Sequence, residues 1–155
     1  MSGLAGHHVV MGLWGSLRHD ARVVRAAATL AGAGARVTVV GASWHEDERG
    51  RWRHPAGFDC VTVPRPKPWS LMNARPGYWA VALRVLRLLP AIGRFWWALR
   101  RLRGDVYHAH DIQALPWTWL ACRRRPLIYD AHEIATDGTA FTRVGRFVAW
   151  LEKRL

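Results

Sequence analysis

The feature that most limits the fold is a strand–helix–strand pattern in the first forty residues. His7-His8-Val9-Val10-Met11-Gly12-Leu13-Trp14 reads as a short buried strand, and Gly15-Ser16-Leu17-Arg18-His19-Asp20 as the loop after it. Asp20 is placed to cap a helix over 21–33, where Val23, Val24, Ala27, Leu30 and Ala31 recur at helical spacing. Gly32 and Gly34 end that helix, and Arg36-Val37-Thr38-Val39-Val40 is β-branched enough to be a second strand. A β–α–β unit implies a parallel sheet with right-handed crossovers. Gly32-Ala33-Gly34 lies at a helix end and not after a strand, so it lacks the context of a dinucleotide-binding loop.

The alternation continues along the chain. Residues 44–57 are polar, with Gly50, Pro55 and Gly57, and read as a loop or weak hairpin. Phe58-Asp59-Cys60-Val61-Thr62-Val63 is a third strand, followed by a stiff connector in which Pro64, Pro66 and Pro68 alternate with Arg65 and Lys67. Residues 78–103 carry a long helical pattern that Pro90 is expected to interrupt, with Gly104 at its end. A fourth strand spans 105–110, a helix 114–123, a fifth strand 126–130 and a last helix 141–155. The order predicts a doubly wound, mainly parallel α/β domain.

With 155 residues the chain fits a single domain over 1–155. Half of them are apolar and 22% charged, enough for a folded core and too apolar for a disordered tail. No apolar run reaches the ~18–20 residues of a membrane span. The start, MSGLAGHHVV, lacks the basic and apolar regions of a signal peptide. Two cysteines are too few for a disulfide scaffold or a cysteine-based zinc site, so a cytoplasmic setting is expected. The net charge of +12 favours polyanions. The ten Trp residues suit a membrane interface or a stacking surface.

The sharpest cluster lies at two strand ends. His108-Ala109-His110-Asp111 closes the fourth strand, and Tyr129-Asp130-Ala131-His132-Glu133 the fifth. Residues two apart on a strand share a face, so His108 pairs with His110 and Asp130 with His132. Ligands in open α/β sheets bind outside the carboxyl ends of the strands, which is where both groups fall.

These residues carry a family resemblance. "D-V-Y-H-A-H-D-x-x-x-L-P" followed by "P-L-I-Y-D-A-H-E" resembles the N-terminal half of family-four glycosyltransferases of GT-B architecture. The Asp20-Ala21-Arg22-Val23 helix start, Gly34, the Val37-Thr38-Val39-Val40 strand and the closing Trp150-Leu151-Glu152-Lys153-Arg154-Leu155 are similar to the same family. The resemblance implies a Rossmann-like half that binds the acceptor of a retaining, nucleotide-sugar-dependent transfer. His110 and His132 would then be the catalytic strand-end histidines, and Asp111, Asp130 and Glu133 acceptor-binding residues. Gly15 and Ser16 would approach the donor diphosphate, although the loop is Gly-Ser where related transferases commonly carry two glycines. No metal or other cofactor is implied beyond the nucleotide-sugar co-substrate, and no nucleic acid. The family's donor-binding C-terminal domain lies outside these residues, so it is expected in cis or in trans, and this half alone is expected to be inactive.

Two other classes stay open. The His-x-His group with Asp and Glu nearby has the composition of a zinc or two-metal hydrolase site. A non-catalytic, membrane-associated partner of a separate donor-domain chain is the third reading. Arg84, Arg87, Arg94 and Arg101 line one face of the 78–103 helix, near Trp69, Trp79, Trp96 and Trp97. That stripe is either solvated or rests on an anionic membrane, which would make the protein peripheral at the inner face of the cell membrane and suit a lipid-linked acceptor.

Overall fold

The computed structural model describes residues 3–67 and 78–131. Six strands form one sheet: β1 (His8–Leu13), β2 (Arg36–Ser43), β3 (Gly50–Arg53), β4 (Asp59–Pro64), β5 (Val106–His110) and β6 (Leu127–Asp130). Their order is β3-β4-β2-β1-β5-β6, and every pair is parallel except β3–β4. Among the described residues three α-helices flank them: α1 (Ala21–Gly32), α2 (Tyr78–Leu102) and α3 (Leu115–Cys122). The doubly wound α/β expectation holds. The last helix read at 141–155, together with His132, Glu133, Trp69 and the 150–155 motif, lies outside the described residues, as do the side chains of Trp79 and Arg84.

The sheet has a core on each face, which is why its strands read as apolar runs without alternation. On one side Val9, Met11, Leu13, Val37, Val39 and Phe58 pack against Val23 and Ala27 of α1. On the other, Val10, Val40, Tyr107 and Ala109 pack against Phe95 and Leu99 of α2 and Ala121 of α3. Fully buried Phe95 and Leu99 are each worth roughly 2–5 kcal/mol against truncation to Ala. Gly12 lets α3 approach β1 closely, because a Cβ there would overlap Thr118 Oγ1. Asp20 Oδ1 accepts from the amides of Arg22 and Val23, and left-handed Gly34 (φ 92°) follows the other end of α1.

The weak hairpin read in the polar 44–57 segment is there: a 3-10 turn at Glu46–Glu48 leads into β3, which pairs antiparallel with β4. Two local readings need correction. β2 runs three residues past Val40, through Gly41, Ala42 and Ser43, because β4 continues to pair with it there after β1 ends opposite Gly41. Helix α2 is continuous through Pro90. Pro90 faces outward beside exposed Leu86 and Leu89, so water can bond the carbonyl that loses its amide partner.

Candidate functional site

The strand order reverses direction between β1 and β5. Their carboxyl ends therefore bound the crevice where α/β sheets of this kind bind ligands. Register carries the sequence motifs there: Leu13, the residue before Trp14-Gly15-Ser16, lies opposite His110, and His110 lies opposite Asp130. The Gly15-Ser16 loop, the His-x-His strand end and Asp130 thus sit side by side.

His110 is fully buried, with Nδ1 3.5 Å from Asp130 Oδ2, and Asp130 remains 40% exposed at the mouth. The His108 and His110 rings are 4.0 Å apart between centroids. One ligand atom each from His108, His110 and Asp130 falls within a 4.8 Å cluster. Two imidazole nitrogens and a carboxylate oxygen form a donor set that zinc or a similar ion accepts. The same cluster could equally bond sugar hydroxyls, with the Asp130 carboxylate beside the His110 ring.

Asp111 follows with φ 68°, in the left-handed region that few residues other than Gly, Asn and Asp adopt. Its carbonyl accepts from the amides of Ala114 and Leu115, so the reversal at Asp111 starts α3, and its own amide donates to the Asp130 carbonyl. Arg22 joins the group from α1. Its hydrogen bond to Asp20 does most to raise the guanidinium pKa, and the charges of Asp111 and Asp130 add to it. Arg22 was legible only as part of the Asp20-Ala21-Arg22-Val23 stretch, not as a neighbour of these carboxylates.

Ser16 is buried, and its hydroxyl donates to Glu48 Oε1 at 2.7 Å. His19 Nδ1 lies 3.1 Å from the same Ser16 oxygen, and the His19 ring stacks on His45 at 5.4 Å. Because the Ser16 proton goes to Glu48, Ser16 Oγ accepts from His19, which leaves the His19 Nε2 edge for other partners. Glu48 is 2% exposed, and its Oε2 has no hydrogen-bond partner among the described residues. What the loop offers a ligand is therefore its backbone and His19, not the Ser16 hydroxyl. Gly15 fits closely: its carbonyl lies 3.3 Å from where a Cβ on Gly41 would stand.

Sequence reading missed Glu48 and Arg65. Arg65 follows β4 at the same edge of the sheet, with its guanidinium 4.6 Å from the Trp44 ring centroid and 5.9 Å from that of Trp14. Burial lowers its pKa. Its placement between Pro64 and Pro66, just past a strand end, was the available signal.

Comparison with known proteins identifies the family and the fold. The sequence matches the family described as "Glycosyl transferase 4-like domain" over residues 19–155. No curated protein matches it in sequence. Among solved structures, a sucrose-phosphate synthase from Thermosynechococcus elongatus superposes with a TM-score of 0.60 at 10% identity, over 92% of this chain and 39% of that one. A structure of TcCGT1 in complex with UDP gives a TM-score of 0.49 at 15% identity, over 96% of this chain and 32% of the other. The chain thus spans less than two fifths of the length of either structure. With a family match covering most of its residues and the doubly wound sheet of a GT-B half, the chain belongs to the glycosyl transferase 4-like family.

Proposed function

We propose that this chain is the acceptor-side half of a retaining, nucleotide-sugar-dependent glycosyltransferase. The observation that carries the reading is the buried His110 held beside Asp130 at the strand ends flanking the switch point, next to the Gly15-Ser16 loop. A histidine in that position can hydrogen-bond a donor hydroxyl or charge that develops on the departing sugar. Asp111 and Asp130 bind acceptor hydroxyls, the Gly15-Ser16 backbone approaches the donor diphosphate, and His132 and Glu133 complete the set. A donor-binding domain, in cis or in trans, supplies the nucleotide pocket.

The test is transfer by the chain joined to such a domain. His110→Ala should lower turnover about 10²–10³-fold, the cost of one preorganised polar contact, which is more than the stability lost to the cavity left by this fully buried side chain. Near-normal turnover in the folded variant would remove His110 from the chemistry.

One observation favours a second reading. The His108–His110–Asp130 cluster is compact enough to hold an ion, as a metal-dependent hydrolase would require. Stoichiometric zinc in the purified protein, lost together with hydrolytic activity on chelation, would favour that reading over transfer.

Peripheral membrane attachment belongs to the proposal as well. No described helix is long and apolar enough to cross a membrane. The outer face of α2 instead presents Leu86 (64% exposed), Leu89 and Trp97 beside Arg87, Arg94 and Arg101, and the helix contains no acidic residue. Such a face suits an anionic lipid surface.

A further inference from the structure

Arg65 is a partly buried cation whose counter-charge the described protein does not provide. It makes no ion pair, and its Nε is buried without a hydrogen-bond partner among the described residues. Nη1 donates to the Trp14 carbonyl at 3.2 Å, and the Arg65 amide donates to the Ser43 carbonyl at 3.1 Å, fixing the backbone to the end of β2. The two indoles frame the guanidinium, and Trp14 is itself held edge-on against fully buried Phe95, with ring centroids 5.3 Å apart.

The acids of the neighbouring loop are otherwise engaged. Glu48 accepts from Ser16 and lies near Arg18, Asp47 pairs with Arg18, and Glu46 pairs with Arg49. A desolvated charge is costly unless an opposite charge or hydrogen bonds offset it. Stacking on two indoles offsets part of that cost and holds the guanidinium plane, which leaves its remaining N–H edge as a planar donor set for an oxyanion. The fork of a guanidinium matches two oxygens of a phosphate group, so a phosphate-type oxyanion fits that edge.

We propose that Arg65, framed by Trp14 and Trp44, is an anion-recognition residue for a phosphate or diphosphate group on the acceptor. This rests on the acceptor-side reading and deepens it. The site lies at the carboxyl ends of β1, β2 and β4, on the far side of the Gly15 loop from His110. A phosphate held there would orient the rest of the acceptor along the crevice. The group belongs either to a soluble phosphorylated acceptor or to a lipid headgroup, and one experiment separates the two sources.

The experiment uses the full chain and two probes: inorganic pyrophosphate followed by calorimetry, and phosphatidylcholine vesicles with and without phosphatidic acid followed by cosedimentation. Arg65→Gln removes the charge, and Arg65→Lys keeps the charge but loses the planar fork. Saturable pyrophosphate binding that weakens at least about tenfold in R65Q, and less in R65K, is the result expected for a soluble phosphate. Arg65 dependence seen only with phosphatidic acid vesicles supports the site with a lipid phosphate as its occupant. The exposed arginines of α2 remain in both variants, so their general attraction to vesicles cancels in the comparison. If R65Q does not fold, R65K carries the comparison. Absence of saturable binding to either probe, or binding by folded variants equal to that of the parent, would overturn the proposal. The readout is binding by this chain, so its failure leaves the transferase reading intact. Loss of the transferase reading would likewise leave Arg65-dependent phosphate binding measurable.

Discussion

Replacing Ser16 with Ala isolates the buried carboxylate behind the first loop. Glu48 has a side chain only 1% exposed, and its strongest bond is the 2.7 Å hydrogen bond from Ser16 Oγ. Arg18 approaches the same oxygen at 3.6 Å, but its own side chain is 57% exposed, so solvent screens that pair. A hydrogen bond to a charged group contributes about 1.5–3 kcal/mol, and a buried acceptor left without its donor keeps its desolvation cost. Ser16→Ala should therefore cost about 2 kcal/mol. At this chain length that lowers the melting temperature by roughly 4–8 °C. The second half of the argument is the asymmetry between removing one partner and removing both. Adding Glu48→Met to Ser16→Ala replaces the pair with apolar groups of similar size, and most of the loss should return. Urea unfolding of the parent, both single variants and the double variant closes the cycle. A Ser16→Ala variant within about 0.5 kcal/mol of the parent, or a double variant less stable than Ser16→Ala alone, would refute the reasoning.

Burial, and then the charge of Arg36, hold the His8 imidazole below its ordinary 6.5, against weaker opposing fields from Asp105 and Asp59. The native state then binds fewer protons than the unfolded chain as pH falls below 6.5, so this contribution is full above that pH and lost below it. Unfolding midpoints measured across that range should be flatter in His8→Gln. At Asp111 (φ 68°), Gly should hold stability within about 1 kcal/mol, whereas Val should cost about 2 kcal/mol more, because a β-branched side chain resists the left-handed region. Equal denaturation midpoints for the two variants would show that the backbone there is unstrained. Vesicles containing anionic lipid should bind the protein at low salt and release it at high salt. Arg87, Arg94 and Arg101 together supply roughly 3 kcal/mol of that attraction, and their joint replacement by Gln should abolish it.

The fold was legible where burial on both faces left a simple signal. β1, β4, β5 and β6 are short apolar runs ended by turn residues, and α1 announces itself through Asp20 at one end and Gly34 at the other. Where the outcome depended on distant neighbours, the local pattern fell short. Gly41, Ala42 and Ser43 have poor strand preference and join β2 because β4 pairs with all three, while β1 reaches only Gly41. β3 is a four-residue edge strand with charged residues at alternate positions, held by its pairing with β4 and by Trp52, whose Nε1 donates to the Glu48 carbonyl. Pro90 was read as a break because the sequence does not reveal which way a proline faces. Facing solvent, it removes one hydrogen bond that water can replace.

The candidate site divides along the same line. The His108–His110 and Asp130–His132 groups were expected at two strand ends because strand periodicity is a local rule, and the register then sets His110 opposite Asp130. Glu48 and Arg65 sit in segments with no periodicity. A lone acid in a polar stretch and an arginine between prolines look like surface residues until the fold encloses them. Both are charges that the fold partly or wholly removes from water at the edge where the strands end, and the protein meets their needs unequally. Glu48 receives a hydroxyl and a nearby guanidinium, and Arg65 receives two aromatic faces and one carbonyl. Each therefore keeps part of its desolvation cost. That cost falls beside the switch-point crevice, at one edge of the sheet, where a fixed cation is useful to a ligand. The unequal treatment of these two charges is the physical reason to look for an anion at Arg65 and a structural role at Glu48.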